Sequence, residues 1–214
     1  MIEHVYRRAA IAQGVDAVVV ATDDARIATA VEQFGGVVRI TQSGHRTGTD
    51  RIAEVARDLP CEIVVNVQGD LPLIEPEMIE EAIEPLTSDR TLVMSTLRQA
   101  ISDEADLMNP NVVKVVVDSN DNALYFSRSP IPFQRERGAA FKHIGLYGYR
   151  RDFLLTFAAL TQTPLERAES LEQLRALEHG FRIRAVPTRF DSIEVDTPED
   201  LERVRRRTAT VAYM

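Results

Sequence analysis

Through the first hundred residues, short β-branched runs alternate with segments of helical apolar spacing, and that alternation leaves very few folds open. Residues 16–21, with Val18, Val19 and Val20 in succession, have the composition of a strand buried on both faces. Ile27, Val31 and Phe34 then recur at helical spacing, and Gly35-Gly36 supplies a C-terminal stop. The cycle continues with a strand over 37–40, a helix over 50–57, a strand over 63–67, a helix over 76–84 and a strand over 91–97. Strands that alternate with helices build βαβ units, in which helices cover both faces of a mostly parallel sheet.

The rhythm changes after residue 109. Residues 112–117 and 123–127 flank Ser119-Asn-Asp-Asn, turn chemistry that predicts a β-hairpin. A loop rich in Pro and Arg over 128–138 and a strand over 143–149 follow. Helices are expected at 151–160 and 168–178, the second with Leu171, Leu174 and Leu177 on one face and Gly180 as its stop. Residues 182–186 make a last strand, and Pro198 opens a terminal helix at a favoured first-turn position. The expected architecture is an α/β three-layer αβα sandwich with a mostly parallel central sheet. It forms one domain over 1–214, with 109–150 as a mixed-sheet insertion. The chain opens in a helix over 2–13, with no strand in front of it.

Composition removes several classes of function. A chain of 214 residues with 44% hydrophobic and 27% charged residues buries a proper core, which excludes disordered and coiled-coil readings. Net charge is −8 with the basic residues scattered, so a nucleic-acid partner is disfavoured. Apolar runs such as 17–21 are too short to cross a bilayer, and the N-terminus shows no secretion signal. The single cysteine, Cys61, has no internal disulfide partner. A cytoplasmic protein without a membrane partner is the expectation. Of the 25 basic residues only Lys114 and Lys142 are lysines, so arginine is expected to meet any anionic ligand.

Two acids sit where chemistry is expected. Val64-Val-Asn-Val-Gln-Gly-Asp-Leu-Pro ends a buried strand in Gln68-Gly69-Asp70, placing a carboxylate at the carboxyl edge of the sheet, where open α/β folds bind ligands. Gly69 permits close approach of the backbone, and Pro72 stops the strand. As turn chemistry, Asp70 equally suits a cap. Asp196 lies at a second strand-to-helix junction, before Thr197-Pro198, where Thr197, Glu199 and Asp200 read as capping residues. Two facing carboxylates would suit Mg²⁺, which fills the rest of its shell with phosphate oxygens and water. His143 and Tyr147, four apart on a strand, would face one side and equally suit a core pair. Glu172 and Gln173 would ordinarily be solvated helix surface.

The chain resembles the 3-deoxy-manno-octulosonate (Kdo) cytidylyltransferases, of the nucleotide-diphospho-sugar transferase fold. The matching stretches are Val20-Ala-Thr-Asp-Asp, Thr47-Gly-Thr-Asp-Arg, Val65-Asn-Val-Gln-Gly-Asp-Leu-Pro, Asn109-Pro-Asn-Val-Val-Lys and Leu124-Tyr-Phe-Ser-Arg, then His143-Ile-Gly-Leu-Tyr-Gly-Tyr-Arg, Leu171-Glu-Gln-Leu-Arg and Val195-Asp-Thr-Pro-Glu-Asp-Leu-Glu. Each is weak alone, but the ordered set is specific. The resemblance implies transfer of CMP from CTP to the anomeric hydroxyl of Kdo, for lipopolysaccharide biosynthesis, in a cytoplasmic homodimer. It implies Mg²⁺ on Asp70 and Asp196. Gln68, Arg128, His143, Tyr147, Glu172 and Gln173 would then line the sugar-acid pocket, with Arg128 clamping a carboxylate. An amino-Kdo or a nine-carbon acid stays open as the acceptor, and so does a catalytically silent nucleotide-binding or partner protein. Leu71 replaces an acid that is commoner in the family, which is expected to retune the pocket edge. The family's opening strand and basic triphosphate loop precede the stretch that aligns with Met1-Ile-Glu-His-Val, so both are expected upstream of Met1.

Overall fold

The computed structural model describes residues 1–136, 138–191, 195 and 197–211, with side chains through residue 206. In chain order the elements are α1 (Ile2–Ala10), β1 (Val20–Thr22), α2 (Ala25–Gln33), β2 (Val38–Ile40), α3 (Gly48–Ala56) and β3 (Ile63–Asn66). Next come α4 (Pro76–Ser88), β4 (Met94–Ala100), α5 (Glu104–Met108), β5 (Lys114–Val117), β6 (Ala123–Ser127) and β7 (Phe141–Arg150). The chain continues with α6 (Arg151–Ala159), α7 (Pro164–Glu169), α8 (Leu174–Glu178), β8 (Ile183–Pro187) and α9 (Pro198–Val211). These elements divide into two compact units: Met1–Val55, Val67–Glu80 and Phe190–Met214 form the first, and Ala56–Asn66 and Glu81–Arg189 the second. Residues 109–150 lie wholly within the second and supply β5 to β7.

The first unit is built on the parallel pair β1 and β2, in register from Val20 opposite Val38. Asp24 starts α2 by accepting from the Arg26 N–H at 2.8 Å, and Gly35 ends it in the left-handed region at φ 79°. Tyr6 of α1 stacks edge-on against Phe34 at 5.3 Å.

The second unit holds a six-stranded sheet whose mixed character extends beyond the expected insertion. Its path runs β6-β5-β7-β4-β8, and β3 also pairs with β7. Only β4 and β8 are parallel here; β7 runs antiparallel to β3, β4 and β5. Its C-terminal half, Tyr147 to Arg150, takes β3, and its N-terminal half, Phe141 and Lys142, takes β5. One long strand is thus the centre of the sheet. Gly148 is required there, because a Cβ at this position would stand 2.5 Å from Ser95 Oγ and 2.8 Å from the Ala82 carbonyl of α4.

Helix α4 outlasts its expected end at 84 and runs through Pro85 to Ser88. Leu86 is fully buried, and the freed carbonyls of the last turn are taken up by Arg150, whose Nη2 donates to Leu86 O at 2.6 Å and Asp89 O at 3.2 Å. Packing and an arginine cap outweigh the one backbone bond that proline removes. The helix expected over 168–178 is instead two, α7 and α8, separated at Ser170, which adopts φ 52°.

Candidate active site

In the first unit the turn after β3 is closed by the Leu71 N–H donating to Gln68 O at 3.3 Å. Leu71 and Ile74 are fully buried and anchor that turn. Residue 71 is therefore a core position, which corrects the expectation that it edges a pocket; a carboxylate could not be buried there unpaired. Asp70 is partly exposed at the strand end, and its carbonyl accepts from the Val195 N–H at 3.0 Å. Asp196, the next residue and the second candidate metal ligand, lies outside the described residues. The amide of Gln68 lies over Gly48 at the start of α3, 3.6–3.7 Å from where a Cβ would stand. Arg51 of α3 pairs with Asp23 at 3.1 Å and donates to Thr41 Oγ1 at 2.6 Å. The motifs that contain Asp23 and Arg51 therefore meet in space. Sequence reasoning quoted both motifs without giving either residue a role.

The second unit holds five of the six candidate sugar-side residues, and a break in strand register brings two of them together. Along β4 and β7, Thr96 pairs with Tyr147 and Leu97 with Ile144, so Gly145 and Leu146 have no opposite residues. Four residues of extended strand would span about 13 Å. With the bulge, the His143 and Tyr147 rings sit 5.3 Å apart. His143 also packs edge-on against Phe126 at 5.0 Å, and its Nε2 lies 2.8 Å from Thr96 Oγ1. Burial pushes its imidazole down to about 3, so the ring is neutral at physiological pH.

The turn between α7 and α8 presents Glu172 and Gln173, which are not on a helix face as expected. Ser170 and Leu171 turn the chain: the Leu171 N–H donates to Glu166 O at 3.2 Å, and Leu171 is buried. Beneath the turn lies a buried ion pair, Arg175 with Glu166, with contacts of 2.8 Å through Nε and 2.5 Å through Nη2. Burial raises the Glu166 carboxyl, but bonds from Arg175 and the Thr163 N–H outweigh it and hold the group below the usual range. Arg175 Nη2 is also 3.6 Å from Glu172, and its guanidinium lies over Phe157 at 5.0 Å. Gln173 is 4% exposed, and its Nε2 is buried with no hydrogen-bond partner among the described residues. Such a donor is rare in a folded protein unless something else satisfies it.

Arg128 serves this turn in a way that the sequence did not show. Its Nε donates to Glu169 O at 2.8 Å, Nη1 to Pro110 O at 3.1 Å and Nη2 to Ser170 O at 3.5 Å. The guanidinium covers the C-terminal carbonyls of α7, so it does not present the open fork expected of a carboxylate clamp. Glu169 in turn accepts from the Arg128 N–H at 2.9 Å and Ser127 Oγ at 2.7 Å. Fully buried Lys114 donates to Asn109 O, Val112 O and Arg128 O at 2.9, 2.7 and 2.5 Å. Arg128, the arginine expected on an anionic ligand, and Lys114 are here committed to backbone carbonyls, as Arg150 is at α4. Lys114, Glu166, Glu169, Arg175 and Thr96 are the supporting residues that sequence reasoning missed.

No group of three or more His, Cys, Asp or Glu that could hold a metal occurs among the described residues. Among the described residues Asp70 alone offers a strand-end carboxylate here, a hard oxygen donor whose chemistry suits Mg²⁺ rather than a zinc-like cage.

Residues 1–183 match the family model described as cytidylyltransferase. The chain is 56% identical to the 3-deoxy-manno-octulosonate cytidylyltransferase of Pelobacter propionicus, covering 97% of this chain and 86% of that protein. The enzyme of the same name from Solibacter usitatus is 54% identical over 96% of this chain and 83% of its own. A solved structure of CMP:2-keto-3-deoxy-manno-octonic acid synthetase complexed with CTP superposes with a TM-score of 0.94 at 43% identity, covering 98% of this chain and 87% of that one. A 4-diphosphocytidyl-2C-methyl-D-erythritol synthase from Anaerococcus prevotii, 14% identical with a TM-score of 0.66 over 97% of this chain and 85% of its own, shares the fold.

Proposed function

This chain belongs to the 3-deoxy-manno-octulosonate cytidylyltransferases, and on that premise we propose that it activates Kdo with CTP, yielding CMP-Kdo and pyrophosphate for lipopolysaccharide synthesis. The observation that carries this reading is the match along nearly the whole chain to a relative solved with CTP. The anomeric hydroxyl oxygen of the sugar attacks the α-phosphorus of CTP. The new O–P bond forms as the bond to the bridging oxygen breaks, pyrophosphate leaves, and the hydroxyl proton passes to solvent. Such a displacement requires positioning and charge neutralisation more than covalent help from the protein.

The residues divide the work accordingly. Asp70 and Asp196 would hold Mg²⁺, which when bound neutralises phosphate charge. Gln68, in the same turn as Asp70, offers an amide to the sugar acid. Neutral His143 and Tyr147 orient sugar hydroxyls, and Glu172 and the Gln173 amide do the same from the α7–α8 turn. Arg128 acts by holding that turn. Leu124, 61% exposed on the edge strand β6, supports a two-fold dimer through this part of the sheet. No helix among the described residues is long and apolar enough to cross a membrane, and a cytoplasmic location is part of the proposal. A substrate panel tests it: pyrophosphate release should need CTP and Kdo together and fall sharply with UTP, an amino-Kdo or a nine-carbon acid. Faster turnover of any of those substitutes would reassign the substrate.

A further inference from the structure

We infer that the Thr96 hydroxyl locks the His143 ring in its Nε2–H tautomer and so presents Nδ1 as a hydrogen-bond acceptor for a hydroxyl of the sugar acid. The inference rests on the reading of this pocket as the sugar-acid site and assigns a positioning residue within it.

The argument is a count of protons. Thr96 is fully buried, and its Oγ1 has three neighbours: His143 Nε2 at 2.8 Å, Leu146 O at 2.8 Å and Ile144 O at 3.1 Å. A hydroxyl carries one proton, and carbonyl oxygens only accept. If that proton pointed at Nε2, the Oγ1 lone pairs would face two carbonyl oxygens at hydrogen-bond distance with nothing between them. If it points at the carbonyls, a lone pair faces Nε2, which must then carry the hydrogen. The second arrangement satisfies every group, so Nε2 donates and the proton of the neutral ring resides there. Because burial holds the ring neutral at physiological pH, its other nitrogen is left as a bare acceptor.

Nδ1 has no hydrogen-bond partner among the described residues. An acceptor at this point takes a hydroxyl and repels a carboxylate, so it sets which end of a hydroxy-acid sugar meets the bulge. Thr96 joins this role to the fold. The carbonyls it holds, Ile144 and Leu146, lie at and within the register break that brings His143 and Tyr147 together. One buried hydroxyl therefore fixes both the shape of the strand and the chemistry of the ring.

The test is side-chain ¹⁵N NMR of the labelled protein at pH 7. His143→Gln identifies the His143 signals among those of the four histidines. The wild type and Thr96→Ser should show a pyrrole-like Nε2 and a pyridine-like Nδ1, while Thr96→Val should lose that preference. In kinetics, Thr96→Val should raise KM for Kdo about tenfold with KM for CTP unchanged, and Thr96→Ser should restore it. The wild-type spectrum decides the matter even if Thr96→Val fails to fold: an Nδ1–H tautomer or an imidazolium overturns the inference. An unaltered tautomer in folded Thr96→Val also overturns it. If the tautomers behave as stated but KM for Kdo does not move, the Thr96 assignment holds and the sugar-binding reading of this pocket fails.

Discussion

Replacing Arg175 with methionine should do two separable things, one to stability and one to the sugar side of the reaction. Arg175 and Glu166 are both almost fully buried and paired through two contacts. Removing the cation strands a carboxylate in the core, which typically costs about 3–5 kcal/mol. For a chain of this size each kcal/mol shifts Tm by about 2–4 °C, so the midpoint should fall by about 6–20 °C. The same change frees Glu172 from its contact 3.6 Å away and loosens the turn that carries Gln173. KM for Kdo should therefore rise more than KM for CTP. Pairing the change with Glu166→Gln removes the stranded charge and should recover about 2 kcal/mol, since a buried pair replaced as a unit is far cheaper than a broken one. Urea denaturation of the wild type, both single variants and the double variant gives the cycle. A cost below about 1 kcal/mol for Arg175→Met, or a double variant that merely sums the singles, would refute the reasoning.

Gln173→Met should leave the free protein as stable or more so, because it removes a buried donor that has no partner among the described residues, and should raise KM for Kdo by about tenfold or more; a clear loss of stability would mean that the amide is satisfied within the fold. Asp70→Asn should lower turnover by at least about 10²-fold with Tm nearly unchanged, measured as pyrophosphate release across a Mg²⁺ titration, and near-normal rates would remove Asp70 from the metal site. His143 makes stability pH-dependent. Its folded pKa of about 3 lies below its ordinary 6.5, so the unfolded chain binds the proton first. The contribution is intact above pH 6.5 and falls as pH drops toward 3, by up to about 1.4 kcal/mol per unit. The stability difference between the wild type and His143→Phe should shrink along that window, and a difference independent of pH would contradict the assignment.

The sequence yielded most elements because local signals suffice for them: the spacing of Ile27, Val31 and Phe34, the turn residues 118–122, and Pro198 at the start of α9. What it hid depends on distant partners. The position of β7 between β3 and β4 is set by long-range register, which periodicity does not encode. The break at Ser170 was easily missed because Leu171, Leu174 and Leu177 keep helical spacing from the turn into α8 and no Gly or Pro marks it. Pro164, at the start of α7, was the missed clue. Gly145 within an otherwise regular strand pattern was a legible sign of the bulge. Arg128 was expected on a ligand because its type suits carboxylates; the helix end that occupies it is 41 residues away in sequence. Leu71 likewise became intelligible only as core.

The most direct test of the assigned reaction is ³¹P NMR of the protein with CTP, Kdo and Mg²⁺, followed in real time. The account expects the three CTP signals to decay together while pyrophosphate and a single sugar-linked CMP phosphodiester grow in equal amounts, with neither product forming when Kdo is left out. Inorganic phosphate and CDP in place of pyrophosphate, or pyrophosphate release that does not need Kdo, would contradict it.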